Sequence, residues 1–168
     1  MKKVAKFAKV SKEQFIKDCE GFSEEAEALY EDIKLPLRAT SGSAGYDFFA
    51  PRDITLAPGE SVKIPTGIRA LIAEGWVLLL YPRSGLGFKY RLQLDNTVGV
   101  IDSDYFFSDN EGHIHIKLTN DSRTGKTLTV KKGEGIAQGI FMPFGITEDD
   151  EACGIRNGGF GSTTGGSV

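Results

Sequence analysis

From Ile33 onward the chain is a succession of short apolar or alternating runs, each closed by turn-forming residues. That pattern admits few folds besides an antiparallel β-sandwich or barrel, so the fold class read from it is all-β. Strands are expected at 46–50, 61–72, 76–81, 92–95, 113–119, 128–130 and 137–144. Between them stand Pro58-Gly59, Glu74-Gly75, Asp109-Asn110 and Lys132-Gly133, pairs that reverse the backbone at low cost. No internal repeat is visible.

The N-terminal part reads differently. Val4, Lys6-Phe7 and Val10 suggest an edge strand whose lysines discourage edge-to-edge pairing. Ser11-Lys-Glu-Gln14 has the form of a capping box, followed by Phe15, Ile16 and Cys19 at helical spacing until Gly21. Ser23 opens a second, acidic helical stretch to about Asp32. Residues 11–32 are therefore expected to be a helical insertion packed on the surface of a single domain spanning residues 1–150. The 168 residues agree with one domain of roughly 150 residues.

Charge and cysteine content exclude several classes of function. A formal net charge of -3 argues against a nucleic-acid-coating protein, which carries a basic stripe. Cys19 and Cys153 lie far apart, with no CxxC or Cys/His spacing to hold zinc. The longest apolar run, 76–81, is far short of the ~20 residues of a membrane span, and no signal-peptide block is seen. The expectation is a cytoplasmic protein that meets any polyanion locally, through arginines, backbone N–H groups or a metal.

Five stretches can carry chemistry. In Ser43-Ala-Gly-Tyr-Asp47 a small-residue turn leaves one carboxylate at a strand start, either a hydrogen-bond anchor or a metal-side ligand. Pro82-Arg-Ser-Gly-Leu-Gly87 reads as a loop in which Ser84 and exposed amides wrap a phosphate, or in which Arg83 pairs with a core carboxylate. The P-loop spacing is absent. In the stretch from Leu94 to Tyr105, Asp102 and Asp104 follow the apolar run 98–101, where a rigidly held carboxylate can orient or deprotonate water. The bland reading is a hairpin with turn-capping aspartates. If the strand continued, Asp102 and Asp104 would share a direction.

In Lys132-Gly-Glu-Gly-Ile-Ala-Gln138 a glutamine interrupts an apolar strand, as a bridge to backbone or as a positioner of water and phosphate. The tail from Arg156 to Val168 is glycine-rich, with little to bury. Its lone Phe160 is suited to stacking on a flat ligand. His113 and His115 fall on one side of one expected strand and read as a solvated face rather than a metal site.

In this order the stretches AGYDF at 44–48, PRSG at 82–85, GVIDSDY at 99–105, KGEGIAQ at 132–138 and GGFGST at 158–163 closely resemble the motifs of the trimeric dUTPase family. The resemblance covers Ile33 to the C-terminus. It implies a distorted jelly-roll or β-clip subunit in a homotrimer with active sites at subunit interfaces, hydrolysing dUTP to dUMP and diphosphate with Mg²⁺. Asp102 then matches the aspartate that activates water at the α-phosphorus, and Gln138 helps to position it. Tyr105 lies under the deoxyribose. Asn96 and the backbone of Gly99, Val100 and Ile101 read uracil, in a narrow hairpin that excludes thymine's methyl. Asp47 holds waters of the metal ion, while Arg83, Ser84 and Gly85 contact phosphates of a neighbouring subunit's site. Residues 151–168 form an arm that closes over the site, with Phe160 on uracil and Arg156, Gly161, Ser162 and Thr163 near the terminal phosphate.

Four features depart from the pattern: the helical segment, an extra stretch at 106–111 before Gly112, Arg156 four rather than five residues before Phe160, and Gly87 in place of alanine. The resemblance leaves two alternatives, a dCTP deaminase-related enzyme and a non-catalytic nucleotide-binding regulator of the same fold. In the deaminases a catalytic glutamate lies in the strand after the third motif, where this chain has Lys117.

Overall fold

The computed structural model describes residues 2–154 and 156. The elements run β1 (Ala5–Lys9), α1 (Lys12–Asp18), α2 (Ser23–Glu31), β2 (Tyr46–Phe49), β3 (Ile54–Leu56), β4 (Ser61–Pro65), β5 (Ile68–Ile72) and β6 (Trp76–Pro82). They continue with α3 (Ser84–Tyr90), β7 (Leu92–Leu94), β8 (Gly99–Ile101), a 3-10 helix over Ser103–Phe107, β9 (His115–Asn120), β10 (Leu128–Val130) and β11 (Gly135–Pro143). Four strands pair in the order β2-β11-β6-β8 and three in the order β4-β9-β7, with smaller pairs β1-β5 and β10-β3. Every strand pairing is antiparallel.

Alternation along the strands builds the core, as a period of two requires. Leu78 and Leu80 of β6, Ile116 and Leu118 of β9, and Leu92 and Leu94 of β7 are all buried. Phe48 joins them from β2.

The expected strand 61–72 is two strands because Thr66-Gly67 interrupts it. Gly67 has φ +72°, and a Cβ there would lie 2.3 Å from Ile33 Cδ1. The Thr66 hydroxyl donates to the Ile114 carbonyl at 2.6 Å and accepts from the Ile68 N–H at 3.1 Å. The chain therefore leaves the β4 sheet and β5 pairs with β1.

The helical segment is more than a surface addition. Ser11 caps α1 by accepting from the Gln14 N–H at 3.1 Å. The inner faces of α1 and α2, with Phe15 and Ala26, and Cys19 just beyond α1, are part of the main core. Burying a side chain like Phe15 is worth roughly 1.5–3 kcal/mol.

Two further expectations are corrected. The stretch after Arg83 is a helix, α3, although two of its seven residues are glycines. The strand carrying Asp102 stops at Ile101, so Asp102 and Asp104 lead into and lie on a 3-10 helix instead of alternating along a strand.

Candidate active site

The two larger sheets leave a cleft of about 690 Å³ between them, and the third motif lines it. Leu80 and Ile101 come from one sheet, Leu94, His115 and Lys117 from the other. A pocket of this size suits a small organic ligand. Asn96, Gly99, Val100, Ile101, Asp102, Tyr105 and Arg156 line it together.

Each is placed by local structure. A sharp turn with Thr97 at φ +62° joins β7 to β8. Asp95 donates its N–H to the Lys117 carbonyl at 3.1 Å, and Val98 donates to the Asn96 carbonyl at 2.7 Å. β7 pairs with β9 whereas β8 pairs with β6, so this connection changes sheets; it is not the narrow hairpin expected from sequence. The backbone of Gly99 to Ile101 is consequently a cleft wall.

Tyr105 forms the buried floor. Its hydroxyl donates to the His113 carbonyl and accepts from Asn110 Nδ2, both at 2.8 Å. Burial raises its pKa, so it remains a neutral phenol.

Asp102 lies at the cleft edge with a side chain 44% exposed. Arg156 reaches it from the tail, with Nη2 at 2.5 Å from its carboxylate and Nε at 2.9 Å from that of Asp104. The guanidinium centre lies 6.0 Å from the Tyr105 ring. In this chain the arginine expected near a terminal phosphate therefore bridges the two aspartates. Phe160, Gly161, Ser162 and Thr163 lie outside the described residues.

Asp47, Arg83 and Gln138 make a second group. Arg83 Nε lies 3.1 Å from the Asp47 carboxylate, and Arg83 Nη1 donates to the Gly135 carbonyl at 3.2 Å. Gln138 Nε2 donates to the Pro82 carbonyl at 3.1 Å, and Gln138 faces Asp47 across β11 and β2. Ser84 and Gly85 are exposed on the first turn of α3.

This second group does not reach Asp102 within one chain. Gln138 pairs with Tyr81 on one side of β6, and Ile101 pairs with Leu78 on the other. That separates them by roughly 10 Å along the strand and about two strand spacings across it. Both readings of Arg83 and Gln138 as structural partners are realised here, beside whatever ligand role they have.

Sequence reasoning missed Lys63, His115 and Lys117 as cleft-lining residues. The alternation His115-Ile-Lys117 carries the signal for two of them, since residues two apart in a strand share a face. Lys117 is held by Asp95, with 2.8 Å between nitrogen and oxygen. The expectation that His113 and His115 form a solvated face is overturned. His113 is fully buried and the His115 side chain is 4% exposed. They sit against Phe15 and the end of α1, which closes over that side of the sheet.

Fold and cleft together define a β-clip protein of the distorted jelly-roll kind, with a ligand-sized pocket between its two larger sheets. The chain belongs to the dUTPase family, whose sequence model matches residues 31–164. A deoxyuridine 5'-triphosphate nucleotidohydrolase of Lactococcus lactis is 46% identical over 134 residues, covering 78% of this chain and 88% of the relative. The enzyme of the same name from Tolumonas auensis is 43% identical over 140 residues, 79% of this chain and 88% of its own length. Among solved structures, the dUTPase of Streptococcus mutans superposes with a TM-score of 0.64 at 33% identity, covering 84% of this chain and 98% of that one. A D95N variant of the dUTPase from Staphylococcus aureus phage phi11, described with a structural Mg(II) ion, shares the fold, with a TM-score of 0.63 at 22% identity and coverage of 89% and 97%.

Proposed function

We propose that the cleft hydrolyses dUTP to dUMP and diphosphate, with Asp102 as general base for the attacking water. The observation that carries this reading is the placement of Asp102. It stands at the rim of a nucleotide-sized cleft, immediately after the Gly99–Ile101 wall and three residues before the buried Tyr105 floor, in a chain of the dUTPase family. A carboxylate so held can accept a proton from water, while the Tyr105 ring below leaves no room for a 2′-hydroxyl. Asn96 and the backbone N–H and C=O groups of Gly99 to Ile101 supply the polar edge that uracil needs.

The second group completes the site from a neighbouring subunit. Arg83, Ser84, Gly85 and Gln138 meet the phosphates there, and a trimer brings them opposite Asp102. Large apolar side chains left open in the single chain favour such an assembly, among them Phe88 at 93% exposure and Val100 at 58%. Residues 151–168 act as the closing arm, with Phe160 over the base and Gly161, Ser162 and Thr163 at the phosphates.

The donor chemistry suits magnesium. Asp47 offers hard carboxylate oxygen beside Arg83, and Mg²⁺ binds through one or two carboxylates, retained waters and substrate phosphates. Bound there, the ion would offset triphosphate charge and make the phosphorus more electrophilic. Arg156 would exchange its aspartate partners for a phosphate as substrate enters, freeing Asp102 to meet water.

The deaminase alternative is disfavoured by Lys117, which pairs with Asp95 at the position where that chemistry uses a carboxylate. No helix among the described residues is long and apolar enough to cross a membrane, and we place the enzyme in the cytoplasm. A panel of dUTP, dCTP, dTTP and UTP with and without Mg²⁺ tests the assignment. Diphosphate release is expected from dUTP alone, and only with the metal. Ammonia from dCTP without diphosphate from dUTP would overturn it.

A further inference from the structure

One polar cluster beside the cleft takes no part in the hydrolysis just described. Asp18, at the end of α1, places its Oδ2 at 2.5 Å from His113 Nδ1 and 3.5 Å from His115 Nε2. Gln14 Nε2 donates to the same oxygen at 2.8 Å. The two imidazole rings lie 4.4 Å apart.

Two imidazoles and a carboxylate invite a cation, and the hydrogen bonds decide against one. The Gly67 N–H donates to His113 Nε2 at 2.7 Å. A neutral imidazole has a single lone pair, so with Nε2 accepting, Nδ1 must carry the proton. His113 is therefore a donor to Asp18 and has no electron pair left for a metal.

The cluster instead ties α1 to the cleft. His113 offers its carbonyl to the Tyr105 hydroxyl, and His115 is among the residues of the cleft wall. A second tie lies about two turns away, at the N-cap of α1. The Ser11 N–H and hydroxyl donate to the two oxygens of Glu111 at 2.7 and 2.6 Å. Glu111 and Gly112 hold φ of +57° and +69°, and a Cβ on Gly112 would stand 2.6 Å from the Tyr105 carbonyl. This is the tight turn that seats the extra stretch 106–111 against the floor. Ser11 and Asp18 both precede the family-matched residues 31–164.

We propose that α1 is a brace for the cleft floor, in which Asp18 and Ser11 are positioning residues that set discrimination between deoxyribose and ribose through Tyr105 and His115. The inference rests on the hydrolase reading. A floor held by hydrogen bonds from outside the catalytic motifs keeps the tyrosine ring at the height that excludes a 2′-hydroxyl. Released, the ring drops and the pocket widens.

The test compares Asp18→Ala, Asp18→Asn and Ser11→Ala with the wild type. Asp18→Ala is expected to raise KM for dUTP about tenfold and to narrow the dUTP-over-UTP preference by a similar factor, with kcat within about threefold. Asp18→Asn keeps an oxygen acceptor for His113 Nδ1–H and should restore most of both. Lys12→Ala, which removes the ion pair of α1 with Glu27, should leave them unchanged.

Docking of α1 is read independently from Cys19, a buried thiol whose pKa burial pushes up to about 12, so it resists thiol reagents until the helix leaves. Unchanged KM and sugar preference in Asp18→Ala with Cys19 protected overturns the brace. If Cys19 becomes reactive in that variant, Ser11→Ala carries the test, and unchanged selectivity there overturns it equally. Should the wild type not hydrolyse dUTP, the function reading fails first. The brace is then judged by amide exchange at Gly67 and Gly112, which Asp18→Ala must accelerate; equal exchange refutes it.

Discussion

Asp102 and Asp18 lie near the same floor residue in opposite surroundings. The Asp102 side chain is 44% exposed at the cleft rim and paired with Arg156. The Asp18 side chain is 18% exposed, and a single oxygen meets Gln14, His113 and His115. A half-buried carboxylate held by hydrogen bonds from Gln14 and His113 of its own chain stabilises that chain. One left open to solvent and a displaceable cation is available to a water molecule and a substrate. Burial and internal hydrogen bonding, more than residue type, separate the scaffold aspartate from the one proposed for chemistry.

Substitutions on either side of that divide should dissociate. Phe15→Ala removes a fully buried ring that packs 6.1 Å from the His113 ring, and it should cost about 3–5 kcal/mol of unfolding free energy, measured by urea denaturation. A loss under 1 kcal/mol would show that α1 is loosely attached and would erase the contrast. Asp102→Asn should do the reverse. Diphosphate release falls at least ~100-fold, about 2.7 kcal/mol of barrier, with dUTP binding and the urea midpoint unchanged. Equal rates would remove Asp102 from the mechanism.

The same divide marks what the sequence could disclose. Asp102, Tyr105 and Gly99 to Ile101 were legible because they are neighbours in the chain and repeat a family pattern in order. So was β11, whose apolar residues on either side of Gln138 announce a strand buried over its first half. Asp18 was not legible, since its partners His113 and His115 lie 95 and 97 residues away and no local pattern encodes such a tie. The helix α3 was hidden for another reason. Gly85 and Gly87 lower its helix propensity, whereas Leu86 and Tyr90, four apart and both packed on the core, hold it in place. That pair was the available signal. The histidines were misread because alternation reports which residues share a face, and only packing by α1 decides that the face is dry.

A smaller effect tests how dry. Burial holds both imidazoles neutral: it lowers the pKa of His113 against the pull of Asp18, and it takes His115 down to about 3, with His113 adding to the effect. An unfolded histidine protonates near pH 6.5. Between that pH and about 3 the unfolded chain therefore binds the extra proton and the native chain does not, so stability falls as pH falls and is level above about pH 7. Each pH unit in that window costs up to about 1.4 kcal/mol for His115. Unfolding free energies from urea titrations should drop by roughly 2 kcal/mol between pH 7 and pH 5 on account of His115 alone. In His115→Leu that part of the slope should vanish, while the contribution of His113 remains. An identical slope in the variant would mean that His115 takes up its proton in the folded chain, which requires water to reach the ring past Asp18. The wall of the cleft would then be as wet as its rim, and the distinction between the two aspartates would rest on hydrogen bonding alone.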